Sequence, residues 1–141
     1  MKPIYDLAIA LEHDPRRVTD TQALTRDTSR PLMGLKGEYG LLRSAEWWSN
    51  LKSGKIPLKS YEGEIVSLQF EGMNSEGRSF TLRLDGGGQF TYSRMANKKD
   101  DLQMYEVGRY LRLTFFEEIK KTGEVLEMLW KLEIASSLKS Y

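Results

Sequence analysis

Beyond Tyr61 the apolar residues return at every second position in run after run, and this period restricts the fold more than any other feature of the chain. Val66, Leu68 and Phe70 alternate with Ser67 and Gln69, and Phe80, Leu82 and Leu84 with Ser79, Thr81 and Arg83. Gln89-Phe90-Thr91-Tyr92 continues the pattern, as do Leu111, Leu113 and Phe115. Successive side chains of a strand point to opposite faces, so each run predicts a half-buried strand. Asn74-Ser75-Glu76-Gly77 and Asp85-Gly86-Gly87-Gly88 have the residue types of tight turns, which predicts two successive hairpins. Leu126, Met128, Trp130, Leu132 and Ile134 again keep strict period two. Val125, Met128, Leu129 and Leu132 would also make a helical stripe, so strand is the preferred reading there and helix stays open.

The first sixty residues read differently. Ile4, Leu7, Ala8 and Leu11 fall at helical spacing between Pro3 and Asp14-Pro15, which predicts a short amphipathic helix. Arg16 to Pro31 holds only Val18, Ala23 and Leu24 as apolar anchors and reads as a solvated arm or a weak helix. Leu32 to Leu42, with Gly34, Gly37 and Gly40, reads as a loop draped over a core. Ser44 is placed to cap a helix through Lys52, with Glu46 near its positive end and Gly54 to terminate it. A second cap, Asn97, predicts one or two helical turns between the third and fourth strands.

The fold class is therefore mainly β, within α+β. The expected architecture is a small antiparallel OB-like barrel, or a curved sheet of about five strands, with two N-terminal helices and one short inserted helix. At 141 residues the chain reads as a single domain, 1–141, in which a helical and loop segment 1–57 packs on a β region 58–137.

Composition excludes several kinds of chemistry. Without Cys, and with one His, the chain can build neither disulfides nor thiolate zinc sites nor histidine-rich metal sites, and no cofactor is expected. No apolar run is long enough to span a bilayer and the N-terminus lacks the pattern of a secretion signal, so the expected location is cytoplasmic, without a membrane partner. The net charge of +1 provides no long-range field to gather phosphates. The carboxylate pairs Glu62/Glu64 and Glu117/Glu118 suit solvated strands, and His13 suits a helix C-terminus. No nucleophile has an evident base and orienting group, so the chain is not expected to be an enzyme.

Binding is the remaining class. Trp47 and Trp48 are neighbours on one helix, pointing about 100° apart, so they cannot both face one core. They are candidate partner-binding residues, together with Tyr110 and Phe116 on the face that also bears Val125 and Leu129. That face needs a cover, from the N-terminal segment, a second copy in a homodimer or another protein. For nucleic acid, Arg83, Arg94, Lys98, Lys99, Arg109 and Arg112 are candidate contacts near one end of the sheet. Asp100, Asp101 and Glu106 interrupt them, and Phe80, Phe90 and Tyr92 align with the inward set rather than offering a stacking surface. Gly86-Gly87-Gly88 leads into a strand rather than a helix, so it reads as a turn and not a phosphate loop.

The stretch from Ser44-Ala45-Glu46-Trp47-Trp48 to Lys55-Ile56-Pro57, followed by a β region, resembles a segment of small uncharacterised bacterial proteins. The resemblance implies a bacterial origin and a non-enzymatic role, and it carries no site residue. The functional expectation is a non-catalytic module that binds another protein, as an accessory or inhibitory partner. The alternative is a barrel that binds single-stranded nucleic acid or oligosaccharide.

Overall fold

Six strands are present in the computed structural model, which describes residues 1–70 and 78–137. In chain order the elements are β1 (Lys2–Asp6), α1 (Leu7–Glu12), α2 (Pro15–Arg26), α3 (Ala45–Ser53), β2 (Leu58–Phe70), β3 (Arg78–Leu84), β4 (Gln89–Ser93), a 3-10 helix (Lys99–Met104), β5 (Tyr110–Ile119) and β6 (Val125–Ile134). The strands form one antiparallel sheet in the order β1-β6-β5-β2-β3-β4. The α+β reading holds, and the last apolar run is a strand. The expected turn at Asn74-Ser75-Glu76-Gly77 lies outside the described residues. The strands it would join do pair, from Gly63 opposite Leu84 to Phe70 opposite Arg78.

The N-terminus corrects the sequence reading. Lys2–Asp6 is strand rather than helix, and only Leu7–Glu12 is helical, so the sheet has six strands and three helices precede β2. β1 pairs with β6, Lys2 opposite Ile134 and Tyr5 opposite Leu132. A register shift between Pro3 and Tyr5 lets the adjacent Ile4 and Tyr5 both be buried. Pairing with a strand from the far end of the chain outweighs local spacing, and Pro3, which has no N–H to donate, is tolerated on a strand at the end of the sheet.

Contacts divide the chain into two compact units. One comprises Met1–Leu7, Ser60–Thr114 and Trp130–Tyr141; the other comprises Ala8–Lys59 and Phe115–Leu129. In the first, Ile65, Phe80, Leu82, Leu111, Leu113 and Leu132 are fully buried, and the rings of Phe80 and Tyr105 meet at 5.1 Å. Each such side chain contributes about 1.5–3 kcal/mol by leaving water. Gly63 has no room for a side chain, because a Cβ there would lie 2.0 Å from the Arg83 carbonyl oxygen.

Two details of this unit differ from expectation. Ser79 and Thr81, placed by alternation on the outward face, are buried. The Gln69 amide covers them, donating to Ser67 Oγ at 2.6 Å and Thr81 Oγ1 at 2.9 Å while accepting from Ser79 Oγ at 3.2 Å. Asn97 does not cap the short helix. Its side chain accepts from the Asp6 N–H at 2.7 Å and donates to the Asp6 carbonyl at 3.2 Å, fastening β1.

In the second unit, residues 15–26 are helical despite having a single buried apolar residue, Val18. Asp14 caps the start by accepting from the Arg17 N–H, and Pro15 has the φ that a first turn needs. The far end is tied down by the Lys121 ammonium, which donates to the carbonyls of Leu24, Asp27 and Arg30 at 2.6, 2.9 and 3.1 Å. α3 follows its sequence signals. Ser44 Oγ accepts from the Trp47 N–H, and Gly54 ends the helix at φ 86°, a conformation glycine adopts without steric cost.

Candidate functional site

In the second unit α3 turns Trp47 fully inward. Its indole Nε1–H donates to Glu118 Oε1 at 2.6 Å, and its ring meets Phe116 edge-on at 5.3 Å. Trp48, one residue on, is half-buried, with its ring 4.8 Å from that of Trp47 in a T-shaped arrangement. Of the four residues expected at a partner surface, Trp47 and Phe116 are therefore interior and offer no area for contact. Phe115 and Phe116 are both buried, so strict alternation fails at this point of β5, and α3 covers Phe116 from within the chain.

Glu118 is 1% exposed, and its Oε2 has no hydrogen-bond partner among the described residues. Burial pushes its carboxyl above the ordinary carboxylate range, and the Trp47 indole and the Ile119 amide pull in the opposite direction. The carboxyl therefore stabilises the interior poorly once it ionises. Its observed contact is to an aromatic donor, the Trp47 indole.

This unit also exposes apolar surface. Leu32 is 71% exposed and Val125 55%, and a pocket of about 310 Å³ beside them is lined by Leu32, Leu35, Leu126, Lys120 and Glu124. Lys120 and Glu124 pair at 3.4 Å, so the polar rim of this pocket is internally neutralised.

The first unit holds a larger cleft, of about 600 Å³. Leu68, Leu102 and the buried ring of Tyr105 line it with apolar surface, and Arg78, Arg94, Lys99 and Asp100 stand around it. Arg94 is anchored: Nε donates to the Ser79 carbonyl at 3.1 Å and Nη2 to the Gln69 carbonyl at 2.9 Å. Burial, followed by the positive charge of Arg78, lowers the Arg94 pKa from its usual value. The Tyr105 hydroxyl accepts from the Met95 N–H at 2.9 Å and donates to the Met95 carbonyl at 2.6 Å, which holds the ring in place.

Of the basic residues singled out in the sequence, Arg94 and Lys99 come together in this cleft. Lys98 is exposed just before the 3-10 helix. The other three hold carboxylates: Arg83 pairs with Glu64 at 2.8 Å, Arg112 with Glu133 at 3.0 Å, and Arg109, nearly buried, with Glu106 at 2.8 Å and the Ala135 carbonyl at 2.8 Å. Tyr110 is half-buried, and its hydroxyl donates to Asp85. Arg78 and Tyr105 were missed in the sequence. The pairing of β3 with β4, Ser79 opposite Ser93, brings Arg78 beside Arg94, and the Arg94 N–H donates to the Arg78 carbonyl at 3.1 Å. No local pattern encodes that register.

The cleft sets charged side chains around an apolar floor. Among the described residues, no group of three or more His, Cys, Asp and Glu is placed to hold a metal ion, and no helix is long and apolar enough to cross a membrane. No curated protein matches the chain. A family model does: residues 1–133 match the model described as Immunity protein RhsI2.

Proposed function

The chain belongs to the RhsI2 immunity protein family, and from that premise we propose that it is a non-catalytic inhibitor that confers immunity by binding a toxin protein. The observation that carries the reading is the reach of the family match, residues 1–133, which includes all six strands up to the penultimate residue of β6. A match of that extent relates the whole folded chain to the family rather than one motif.

The site chemistry supports inhibition by occupancy. The cleft of the first unit supplies cations and apolar surface, which bind, and no nucleophile–base–orienter arrangement is described beside it. An immunity protein of this kind works by contact area and complementarity, with a few central side chains supplying most of the affinity.

The test is self-protection. Deleting the chain from its host should leave the cells open to growth arrest by unmodified siblings, and expression in trans should restore resistance without altering any metabolic activity. Deleted cells that compete as well as their parents would refute the proposal.

A further inference from the structure

We infer that the outer edge of β4 (Gln89–Ser93) is where a second copy of the chain joins, strand against strand about a two-fold axis through Thr91. The inference goes beyond the immunity reading and does not depend on it.

β4 ends the order of the sheet and pairs on one side with β3. At its two ends the Arg94 N–H donates to the Arg78 carbonyl and the Leu84 N–H to the Gly88 carbonyl, so the even-numbered residues of the strand turn their backbone groups toward β3. The N–H and C=O groups of Gln89, Thr91 and Ser93 therefore point the other way. All three residues are exposed, and among the described residues these backbone groups have no partner. The next outward positions are taken up within the chain, Met95 by the Tyr105 hydroxyl and the Asn97 N–H by the Ile4 carbonyl. The open edge is thus the length of β4 itself.

The two ends of the sheet are finished differently. β1 carries the devices that keep an edge single: exposed Lys2, Pro3 without an N–H, a register shift after Pro3, and an Ile4 carbonyl already bonded to Asn97. Gln-Phe-Thr-Tyr-Ser in β4 has no charge and no proline, and its register with β3 is unbroken. An edge in this state is a template for another strand.

The sequence of β4 selects its own copy as that strand. It has the same character in both directions: polar, aromatic, threonine, aromatic, polar. Antiparallel pairing about Thr91 sets Thr91 opposite its counterpart, Phe90 opposite Tyr92 and Gln89 opposite Ser93. The axis repeats each contact, which is the self-complementarity a closed dimer requires. Thr91 exchanges both backbone bonds with its counterpart, and Gln89 and Ser93 exchange theirs on either side. Phe90 and Tyr92 then fall at the non-hydrogen-bonded positions, where facing Cα atoms come within about 4.5 Å and side chains meet most closely. The rings of Tyr61, Phe90 and Tyr92 already stack in a row at 4.2 and 6.0 Å, and the dimer carries that row across the axis. No like charges are opposed along the strand, and a net charge of +1 sets up little repulsion between copies. The turn of the second copy that arrives opposite residues 94–96 is Gly86-Gly87-Gly88, which brings no side chains.

The experiment is sedimentation velocity on the full chain from about 1 to about 300 µM. A five-residue edge makes a small interface, so the native protein is expected to pass from the monomer mass toward twice that mass within this range. Gln89→Lys/Ser93→Lys opposes two ammonium groups at each end of the paired edge and should weaken association by about tenfold or more. Gln89→Lys/Ser93→Glu opposes each ammonium to a carboxylate and should associate at least as tightly as the native chain. Both positions are exposed, and matching Tm values for dilute protein show that the variants fold. Thr91→Pro, whose missing N–H points away from β3, is a second disrupting variant and should stay monomeric throughout. A native chain that is monomeric across the range overturns the inference. So does dimerisation that survives the lysine pair, or that is lost equally in the lysine–glutamate pair. A monomeric native chain whose protection of host cells is abolished by the lysine pair would give the edge to a strand of the toxin and overturn it as well.

Discussion

Replacing Glu118 by Gln and Trp47 by Phe, singly and together, tests the one buried ionisable contact described in the second unit. Glu118 is 1% exposed, accepts from Trp47 Nε1 at 2.6 Å through one oxygen, and leaves the other oxygen without a partner among the described residues. Its folded-state pKa is raised, so the native state binds the proton more tightly than the unfolded chain does. The stabilisation is then fully present below the unfolded carboxyl pKa and is lost as pH rises through the folded one. Glu118→Gln removes the charge and keeps an oxygen to accept from the indole. It should stabilise the protein more at about pH 8, where the buried carboxyl would otherwise have to ionise, than at about pH 4, and so raise Tm at the higher pH relative to the lower. Trp47→Phe removes the donor as well as ring volume and should cost about 3 kcal/mol in the native background at the higher pH. In the Glu118→Gln background the same change should cost about 1–2 kcal/mol less, because no buried charge is left without its donor. Thermal melts of the four proteins at both pH values give the coupling directly. A Glu118→Gln gain that is independent of pH, or that shrinks as pH rises, would show that the carboxyl does not behave as a burial-destabilised acid.

Gly63→Ala should lower Tm by at least about 5 °C, since its Cβ would sit 2.0 Å from the Arg83 carbonyl oxygen and β2 and β3 would have to separate. Lys121→Met removes three hydrogen bonds to the Leu24, Asp27 and Arg30 carbonyls, with an expected cost of about 1.5–3 kcal/mol and faster amide exchange confined to residues 24–33; unchanged exchange there would remove the anchoring role. Asn97→Ala takes both contacts from the Asp6 backbone, at a cost of about 1–2 kcal/mol. The Asp6 amide should exchange faster by hydrogen–deuterium measurement, and an equally protected amide would take the fastening of β1 away from the Asn97 side chain.

How much of the site was legible depends on the range of the interactions that build it. Lys99 and Arg94 could be named as cations close in sequence, but their union with Arg78 and Tyr105 in one cleft depends on the β3–β4 register and the fold of the 3-10 helix. Trp47 and Phe116 illustrate the opposite case. Their size suggested anchors for a partner, and the fold uses each as interior packing while leaving Trp48 half-buried at the edge of α3.

What the sequence alone determined was local: period-two alternation for the strands of the second half, a serine cap and a left-handed glycine for α3, and a composition without thiol chemistry or histidine-rich metal sites. These follow from steric and hydrogen-bonding preferences that act within a few residues. The tertiary structure decided the rest. Residues 2–6 became a strand because β6 supplies partners at the opposite end of the chain. Asn97 fastens β1 instead of capping a helix, and Ser79 and Thr81 are buried because Gln69 reaches across to satisfy them. In each case a hydrogen bond between residues distant in sequence outweighs a local preference worth a few tenths to about one kcal/mol.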